Sequence, residues 1–330
     1  MFFEHNLEWY ENNRDMPEPP FCEVKLFNDW KQVLPEVREH LQASDVAVVG
    51  SYFPDGIVAL DEVLDSNVAV KAFYDIDTPI TLRGLQQEGR TDYLLKRQLP
   101  ELDIYFTFTG GPVLRELKTD FGVPLAVPLY CSVDPERHHP LTATRDFACD
   151  MSYMGTYAAD RQPKIDELLC APARSMPARS FIVAGPQYPG SIEWPVNVRR
   201  IMHLEPRHHA ALYCSSRLTL NVTRRDMVIA GYSPSVRLFE AAACGATIVS
   251  DNWPGLDTFF APGSEILIPA GSRDVVRYFS GYDAAELKAI GNAARARVLA
   301  THSSEARARE FEWAVEISRG KSTRTNIVAV

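Results

Sequence analysis

The chain lacks several features that would assign its class at once. It has only six cysteines in 330 residues, and none of them forms a C-x-x-C pair. Their spacing shows no disulfide framework and favours reduced, mostly buried thiols. No apolar run approaches the length of about 18 residues that a spanning helix needs, and the polar, acidic start is not a signal peptide. We therefore expect a cytoplasmic protein without a membrane span.

Positive charge is also scarce. The chain has 34 Lys and Arg residues against 43 Asp and Glu residues, which gives a net charge of −9. Such an acidic chain should repel nucleic acid and anionic membrane, but a pocket can still collect a few arginines around a small anion. Neither a Walker A motif nor a G-x-G-x-x-G follows a predicted strand, which disfavours kinases and dehydrogenases.

Short apolar runs rich in Val, Ile and Phe recur along the chain, each followed by a turn residue and a helical pattern. Such alternation indicates buried parallel strands in a doubly wound α/β sheet. The length suits two domains of roughly 150 residues each. The predicted strands form two series, one at 45–51, 68–75, 103–110 and 124–131, and one at 151–156, 181–186, 198–204, 218–223, 246–251 and 264–269.

The two series meet at the polar stretch 131–147, which we interpret as an interdomain linker. This predicts an N-terminal Rossmann-like domain over residues 1–135, a C-terminal Rossmann-like domain over 136–300 and a helical tail over 301–330. Ligands of open α/β sheets bind at the carboxyl ends of the strands. The cleft between the two domains is therefore the expected site.

The segment 221–260 carries the clearest chemical signal. Ser233–Pro234 is a typical helix start, and Gly245 lies where that helix should stop. Gly231 would let a ligand approach the backbone, and the free N–H groups of a helix start favour phosphate. Arg224 could add charge-assisted bonds. A plain turn at Gly231 and a solvated Arg224 are the structural alternatives.

Glu240 interrupts the alanine-rich part of this helix. A carboxylate buried among alanines is costly unless it is hydrogen-bonded. A ribose diol offers two hydroxyl donors, and hydrogen bonds to a charged group contribute about 1.5–3 kcal/mol each. The alternative is a surface ion pair with Arg237, three residues earlier. The residues alone leave both interpretations open.

Eight segments extend the signal over most of the chain, in the order FYDIDTPITL, FTGGP, PLYCSVDP, YMGTYAADRQP, VAGPQYP, LNVTRRDM, GYSPSVRLFEAAACG and PGSEILI. Together they resemble the CgeB-like (YkvP/CgeB) family of glycosyltransferases. The resemblance implies the GT-B fold, an α/β architecture of two Rossmann-like doubly wound domains facing a central cleft. It also implies transfer of a sugar from a nucleotide-diphosphate sugar to an unknown acceptor (glycan, protein or small molecule), without a metal or other cofactor.

The resemblance further implies the residues of the donor site. Glu240 corresponds to the residue that binds the donor ribose, and the helix start before it faces the diphosphate or the sugar. The loop after the first strand of the second domain supplies a phosphate-binding arginine, and two later strand ends form the base-side loops. The implied donor-binding residues are Gly155, Arg161, Gly185, His203, Glu205, Arg224, Tyr232, Ser233, Pro234, Ser235, Val236, Arg237 and Glu240.

Departures from the family pattern leave part of the chemistry open. Retaining GT-B enzymes often carry a second Glu eight residues before the ribose Glu, where this chain has Tyr232. Where many carry a His, this chain has Asp75 and Asp77, either of which could be the general base or could orient the acceptor. The pair is also a D-x-D, the metal motif of GT-A enzymes, which the double Rossmann pattern disfavours.

The resemblance begins near Phe3, so the N-terminal domain is expected to lack the first strand and helix of its relatives. A non-catalytic sugar-nucleotide-binding protein, or one that assembles a spore or cell surface, therefore stays the alternative. The pairs His138-His139 and His208-His209 suggest zinc. Adjacent residues point in different directions and no Cys completes a set, so we predict no metal site.

Overall fold

A computed structural model describes residues 1–11, 14 and 16–320 of the chain. This part of the chain divides into two compact units. Unit 1 contains residues 1–129 and the described residues from Glu310 on, and unit 2 contains Tyr130–Arg309.

Unit 1 alternates strands and helices, in the way that the first series of apolar runs predicts. Its elements are β1 (Phe2–His5), α1 (Glu8–Glu11), β2 (Val24–Phe27), α2 (Trp30–Ala43), β3 (Val46–Gly50), α3 (Gly56–Asp65), β4 (Val70–Asp75), α4 (Thr78–Glu88), a 3-10 helix (Lys96–Glu101), β5 (Ile104–Thr107), α5 (Pro112–Thr119) and β6 (Ala126–Pro128).

The strands of unit 1 form two separate parallel sheets. β3, β4, β5 and β6 pair in that order, and β1 pairs with β2 alone. Neither β1 nor β2 is predicted from the sequence, because each is a four-residue strand with a charged residue inside it.

One cavity of about 690 Å³ in unit 1 is lined by residues of both outer strands, β1 and β3. Within the described chain, each of the two lies at the end of its own sheet. The inner strands of a parallel sheet are normally covered on both faces. Around this cavity, however, apolar side chains are open to solvent: Phe2 is 54% exposed and Val48 is 44% exposed.

Unit 2 follows the second series of runs. Its elements are β7 (Cys149–Met154), α6 (Gln162–Ile165), a π-helical stretch (Asp166–Cys170), α7 (Ala171–Ser175), β8 (Phe181–Ala184), β9 (Val198–Ile201), a 3-10 helix (Pro206–His208), α8 (His209–Ser215), β10 (Ser216–Asn221), α9 (Arg225–Ala230), α10 (Val236–Ala243), β11 (Ile248–Ser250), α11 (Leu256–Phe259), α12 (Ser272–Gly281), α13 (Ala284–Thr301) and α14 (Ser304–Ser318).

The sheet of unit 2 is parallel and has the order β11-β10-β7-β8-β9. The chain starts at the central β7, moves to one side through β8 and β9, and then returns to the other side of β7 with β10. The carboxyl ends of β7 and β10 therefore form a topological switch point, where open α/β sheets bind ligands. The core under this sheet includes Met151, Phe181, Leu220, Val275 and Leu287.

The helical tail joins the two units. α14 begins in unit 2, and its residues from Glu310 on belong to unit 1. There Phe311 stacks on Phe106 with ring centroids 5.0 Å apart, and the fully buried Ala314 packs in the cluster that contains Val70 and Ile104. No described helix has both the length and the apolar character that crossing a bilayer requires.

Two local predictions need correction. The helix expected to begin at Ser233–Pro234 begins at Val236, with Ser235 as its N-cap. The preceding chain is held away from the helix, because the Tyr232 amide donates to the Pro254 carbonyl and Ser235 keeps an extended backbone. The run 264–269 is not a full strand: Leu267 makes a single bridge to Val249 beside β11.

Candidate functional site

Two glycines end adjacent strands at the switch point of unit 2. Gly155 follows β7, and its amide donates to the Ala184 carbonyl at the end of β8. A Cβ atom on Gly155 would lie 2.8 Å from Tyr153 Oη and 2.9 Å from Arg237 Nη2. Gly185 has a φ of +140°, and a Cβ there would lie 2.1 Å from the Gly155 carbonyl oxygen. Only glycine fits at Gly185, whereas a Cβ on Gly155 would displace the ends of two side chains. Both positions leave the main chain open to a ligand.

Three arginines lie close to one another around this loop. Burial lowers the pKa of Arg161, and the positive charges of Arg237 and Arg224 lower it further. Arg161 donates from Nη2 to the Thr156 carbonyl at 2.6 Å, so a neutral oxygen rather than a carboxylate holds it. Arg224 faces the carboxylate of Asp160 at 3.9 Å. The cluster thus carries more positive than negative charge, as an anion site requires.

Arg237 lies in the first turn of α10 and is held in place by residues of β7 and β10. Its Nε donates to the Met154 carbonyl, its Nη1 donates to Asn221 Oδ1 at 2.9 Å, and its guanidinium lies 5.2 Å from the centroid of the Tyr153 ring. The Ser235 hydroxyl donates to the same Asn221 oxygen at 2.8 Å. Since that hydroxyl is engaged there, it makes no cap bond to the first amides of α10, and these amides can serve an anion.

Buried polar atoms without a hydrogen-bond partner mark the same place. Tyr153 Oη and Arg161 Nε are both buried and unpaired. Leaving a buried donor unsatisfied costs about 1–3 kcal/mol, and more for a charged group. Orphaned donors next to a cluster of arginines are therefore best explained by a ligand that brings negatively charged oxygens.

Glu240 lies one turn further along α10, with 16% of its side chain exposed. Its Oε2 accepts a hydrogen bond from the Tyr213 hydroxyl at 3.2 Å, and its Oε1 lies 3.7 Å from His138 Nε2. Burial and the nearby Glu240 charge raise the pKa of the Tyr213 phenol well above its usual value, so it stays a donor. The described ion pairs do not include one between Glu240 and Arg237, because Arg237 is bound to Asn221 instead.

The segment before α10 is bent and mostly buried. Tyr232 has a φ of +47°, and Ser233 and Pro234 are buried. The Pro234 carbonyl accepts from the Cys131 thiol at 3.6 Å. Val236, at the start of α10, is 44% exposed although its side chain is apolar. An apolar side chain open to solvent beside the arginines suits contact with a bound ligand.

The two predicted base-side residues lie on the surface. His203 and Glu205 are exposed in the loop after β9, and Glu205 forms an ion pair with Arg207 at 2.7 Å. The structure does not bring either side chain into contact with the arginine cluster, and their role stays a prediction.

In unit 1, the two predicted catalytic carboxylates have different environments. Asp75 is fully buried and accepts hydrogen bonds from Tyr105 Oη at 2.5 Å and Thr81 Oγ1 at 3.1 Å. Burial raises the pKa of Asp75. Asp77 is half-buried, and its Oδ2 accepts from the Tyr52 hydroxyl at 2.8 Å. A fully buried and bonded Asp75 suits a structural role, so the catalytic prediction now rests on Asp77.

Comparison with known proteins shows what the chain is similar to. Residues 161–312, just under half of the chain, match the family described as "Glycosyl transferase-like". The fold is similar to that of sucrose-phosphate synthase from Thermosynechococcus elongatus, at a TM-score of 0.65 and 14% identity over 94% of this chain and 87% of that chain. The chain has the GT-B fold of these glycosyltransferases.

Two further solved structures share this architecture. Anabaena Alr3699/HepE in complex with UDP and glucose matches at a TM-score of 0.63 and 12% identity, over 89% of this chain and 86% of that chain. The UDP-forming α,α-trehalose-phosphate synthase from Burkholderia vietnamiensis matches at 0.61 and 12%, over 89% and 77%. At such low identity these matches show the fold alone. No curated protein matches the chain by sequence.

The structure also brings in residues that the sequence did not predict. Tyr153 and Asn221 hold Arg237, and both lie inside segments quoted for the family resemblance, one residue or two before a predicted loop. Tyr213 and His138 contact Glu240. No local pattern could have identified these two, because they are 27 and 102 positions away from Glu240 in the sequence.

Proposed function

We propose that this protein is a glycosyltransferase that transfers a sugar from a nucleoside-diphosphate sugar to an acceptor hydroxyl, and that unit 2 binds the donor. The observation that carries the proposal is the arrangement on α10. Arg237 lies in its first turn and Glu240 three residues later, so the two are separated by about 4.5 Å along the helix axis. A guanidinium and a carboxylate at this spacing suit the diphosphate and the ribose of one nucleotide.

Glu240 is proposed to bind the ribose. Its carboxylate is held by a neutral donor, Tyr213, rather than by an arginine. It therefore keeps negative charge and free acceptor capacity for the two ribose hydroxyls, which contribute about 1.5–3 kcal/mol each.

Arg161, Arg224 and Arg237 are proposed to bind the diphosphate, together with the main chain at Gly155 and the first amides of α10. As the bond between the sugar carbon and the diphosphate oxygen breaks, negative charge develops on the leaving oxygen. Prepositioned donors stabilise such charge without further reorganisation. The unpaired Arg161 Nε and Tyr153 Oη are suitable donors for it.

Asp77 is proposed to act on the acceptor. The acceptor oxygen forms a bond to the anomeric carbon, its proton moves to the Asp77 carboxylate, and the nucleoside diphosphate leaves. Tyr52 donates to Oδ2 of Asp77 and so helps to position the carboxylate for this step. Asp75 stabilises the turn that carries Asp77, because its Oδ1 accepts a hydrogen bond from the Asp77 amide at 3.2 Å.

The donor base and the setting are proposed from weaker signals. The names of two structural neighbours include UDP, which makes a UDP-sugar the first donor to test. A mechanism without a metal, membership of the CgeB-like subfamily and action in the cytoplasm remain proposals that rest on the sequence.

A ligand panel tests the donor site. UDP-, GDP-, dTDP- and CDP-sugars should be compared by thermal shift with wild-type protein and Glu240→Ala. A ligand at 100 times its Kd stabilises the protein by about 2.7 kcal/mol. We expect one base to stabilise the wild type and to lose most of that effect in Glu240→Ala. Glu167→Gln, which changes an exposed carboxylate of unit 2, is the matched control.

Turnover is tested with the donor that the panel selects. We expect wild-type protein to release nucleoside diphosphate in the presence of an acceptor, and Asp77→Asn to bind the donor without turnover. A wild type that binds a nucleotide sugar but never cleaves it would favour a sugar-nucleotide-binding protein. If no nucleotide binds and Glu240→Ala changes nothing, the donor site is wrong.

A further inference from the structure

One histidine from each of the two pairs reaches Glu240. His138, His209 and Glu240 each offer a ligand atom, and these three atoms all lie within 4.8 Å of one another. His209 is the first residue of α8, Glu240 lies on α10, and His138 precedes β7 in the chain. The fold therefore assembles a His₂Glu set that the spacing of the histidines in the sequence does not reveal.

The surroundings of His209 resemble those of a metal ligand. Its Nε2 lies 3.2 Å from the Leu204 carbonyl oxygen. A carbonyl can only accept, so Nε2 carries the proton and Nδ1 keeps its lone pair. Histidines that bind metals usually donate their second ring nitrogen to a carbonyl or carboxylate in this way, which fixes the tautomer and the ring orientation.

His138 and Glu240 are also suited to bind a cation. The His138 side chain is only 15% exposed and lies beside Glu240. Its Nδ1 is buried and has no hydrogen-bond partner. Tyr213 donates to Oε2 of Glu240 and thereby fixes the carboxylate, while Oε1 faces the His138 ring at 3.7 Å.

We propose that His138, His209 and Glu240 bind a zinc ion in unit 2, with water in the fourth position. Two imidazoles and one carboxylate are an established ligand set for Zn²⁺ with an open position. At metal–ligand distances near 2.0–2.1 Å, tetrahedral geometry separates ligand atoms by about 3.4 Å. The separation of 3.7 Å between His138 and Glu240 is close to this value, and the three ligand atoms, all within 4.8 Å of one another, would move together on binding the ion.

Zinc at this site has a consequence for the enzyme, which rests on the proposed function. Glu240 cannot give its free oxygen to zinc and to a ribose diol at the same time. Zinc and the nucleotide therefore exclude each other, and micromolar zinc inhibits donor binding rather than supporting catalysis.

Zinc binding itself is tested first, by calorimetry with ZnCl₂ on EDTA-treated, dialysed full-length protein. Removing a residue that only orients a ligand costs about 10–100-fold in metal affinity, so His138→Ala and His209→Ala should each weaken zinc binding at least tenfold. The neighbouring variants His139→Ala and His208→Ala are the matched controls and should bind like the wild type. Unchanged melting temperatures without zinc show that the variants are folded.

The outcomes separate the zinc site from the donor site. Equal zinc affinity in all four variants, or none in the wild type, overturns the inference. Wild-type zinc binding that UDP does not weaken overturns the shared role of Glu240. If zinc binds through the two histidines and no nucleotide binds at all, the zinc site stands and the proposed function fails.

Discussion

The hydroxyl of Tyr213 lies 3.2 Å from Oε2 of Glu240 and joins α8 to α10. Tyr213 is fully buried, and the raised pKa of its phenol keeps it protonated. The hydrogen bond thus fixes the carboxylate without neutralising it. An ion pair with an arginine would hold the carboxylate as firmly but would cancel the charge that a ribose diol needs.

Tyr213→Phe should weaken nucleotide binding while keeping the carboxylate. A hydrogen bond to a charged group contributes about 1.5–3 kcal/mol, and water can replace part of it because Glu240 is partly exposed. We expect the Kd for UDP to rise by about tenfold or less, clearly less than in Glu240→Ala, as measured by calorimetry. Tyr278→Phe, in α12, serves as the control. An unchanged Kd would mean that Tyr213 does not position Glu240.

Arg161→Ala should affect the phosphates and spare the nucleoside. Charge-assisted hydrogen bonds contribute about 1.5–3 kcal/mol, so the affinity for UDP should fall by about 10- to 100-fold. Uridine carries no phosphate, and its weak binding, measured by NMR titration, should stay the same. Lys164→Ala removes a nearby exposed cation that pairs with Glu167 and should change neither. Equal losses for UDP and uridine would contradict a phosphate role.

Gly185→Ala should destabilise unit 2. The backbone at Gly185 has a φ of +140°, and the new Cβ would collide with the Gly155 carbonyl at 2.1 Å. A residue forced into such a backbone conformation costs about 1–3 kcal/mol, which should appear as a lower midpoint in urea unfolding. Gly190→Ala is the control, because no heavy atom lies within 4 Å of its Cβ position. A Gly185→Ala midpoint equal to that of the control would mean that the two loops can separate without cost.

His302 should make the protein sensitive to acid. Its ring is buried, stacks on Phe239 at 4.3 Å, and accepts a hydrogen bond from Arg307 on Nδ1. Burial, followed by the charge of Arg307, lowers the pKa of His302 from 6.5 to about 3. The unfolded chain takes up the proton on His302 at a higher pH than the folded chain. The contribution of neutral His302 to the free energy of unfolding is therefore complete above pH 6.5 and is lost as the pH falls towards 3.

The change of the free energy of unfolding with pH tests the prediction for His302. One extra proton bound by the unfolded chain lowers the free energy of unfolding by about 1.4 kcal/mol per pH unit. His302→Gln should be less stable than the wild type at pH 7, yet lose less stability between pH 6.5 and 4.5 in urea titrations. Parallel curves for the two proteins would show that other groups set the acid limb.

Much of the fold could be predicted from the sequence because buried parallel strands have a simple signature. The runs that became β3, β4, β5 and β8 combine apolar, largely β-branched or aromatic residues with a following turn, and the structure confirms them. β1 escaped because Phe2–His5 is short and ends in a charged and a polar residue. The start of α10 was misplaced because the cap signal of Ser233–Pro234 competes with a main-chain bond from Tyr232 to Pro254 that only the tertiary structure creates.

The candidate site also contains residues that the sequence predicts and residues that it does not. Gly155, Arg161, Arg237 and Glu240 lie in segments with local signals, and the structure places the first three together and Glu240 one turn beyond Arg237. The partners of Glu240 depend on long-range contacts and carry no local signal. The prediction that no metal site exists treated His138-His139 and His208-His209 as two separate pairs, but the fold brings one member of each pair to the same carboxylate.

The edges of β1 and β3 that pair with no further strand of the described chain affect how the protein should be handled. Both strands end their sheets within the described chain, and both carry solvent-exposed apolar side chains, Phe2 and Val48. An edge strand of this kind can form a β-sheet with an extended segment of another molecule. Concentrated samples should therefore self-associate through this side of unit 1 first, and a lysine in place of Val48 is the simplest way to keep them monodisperse.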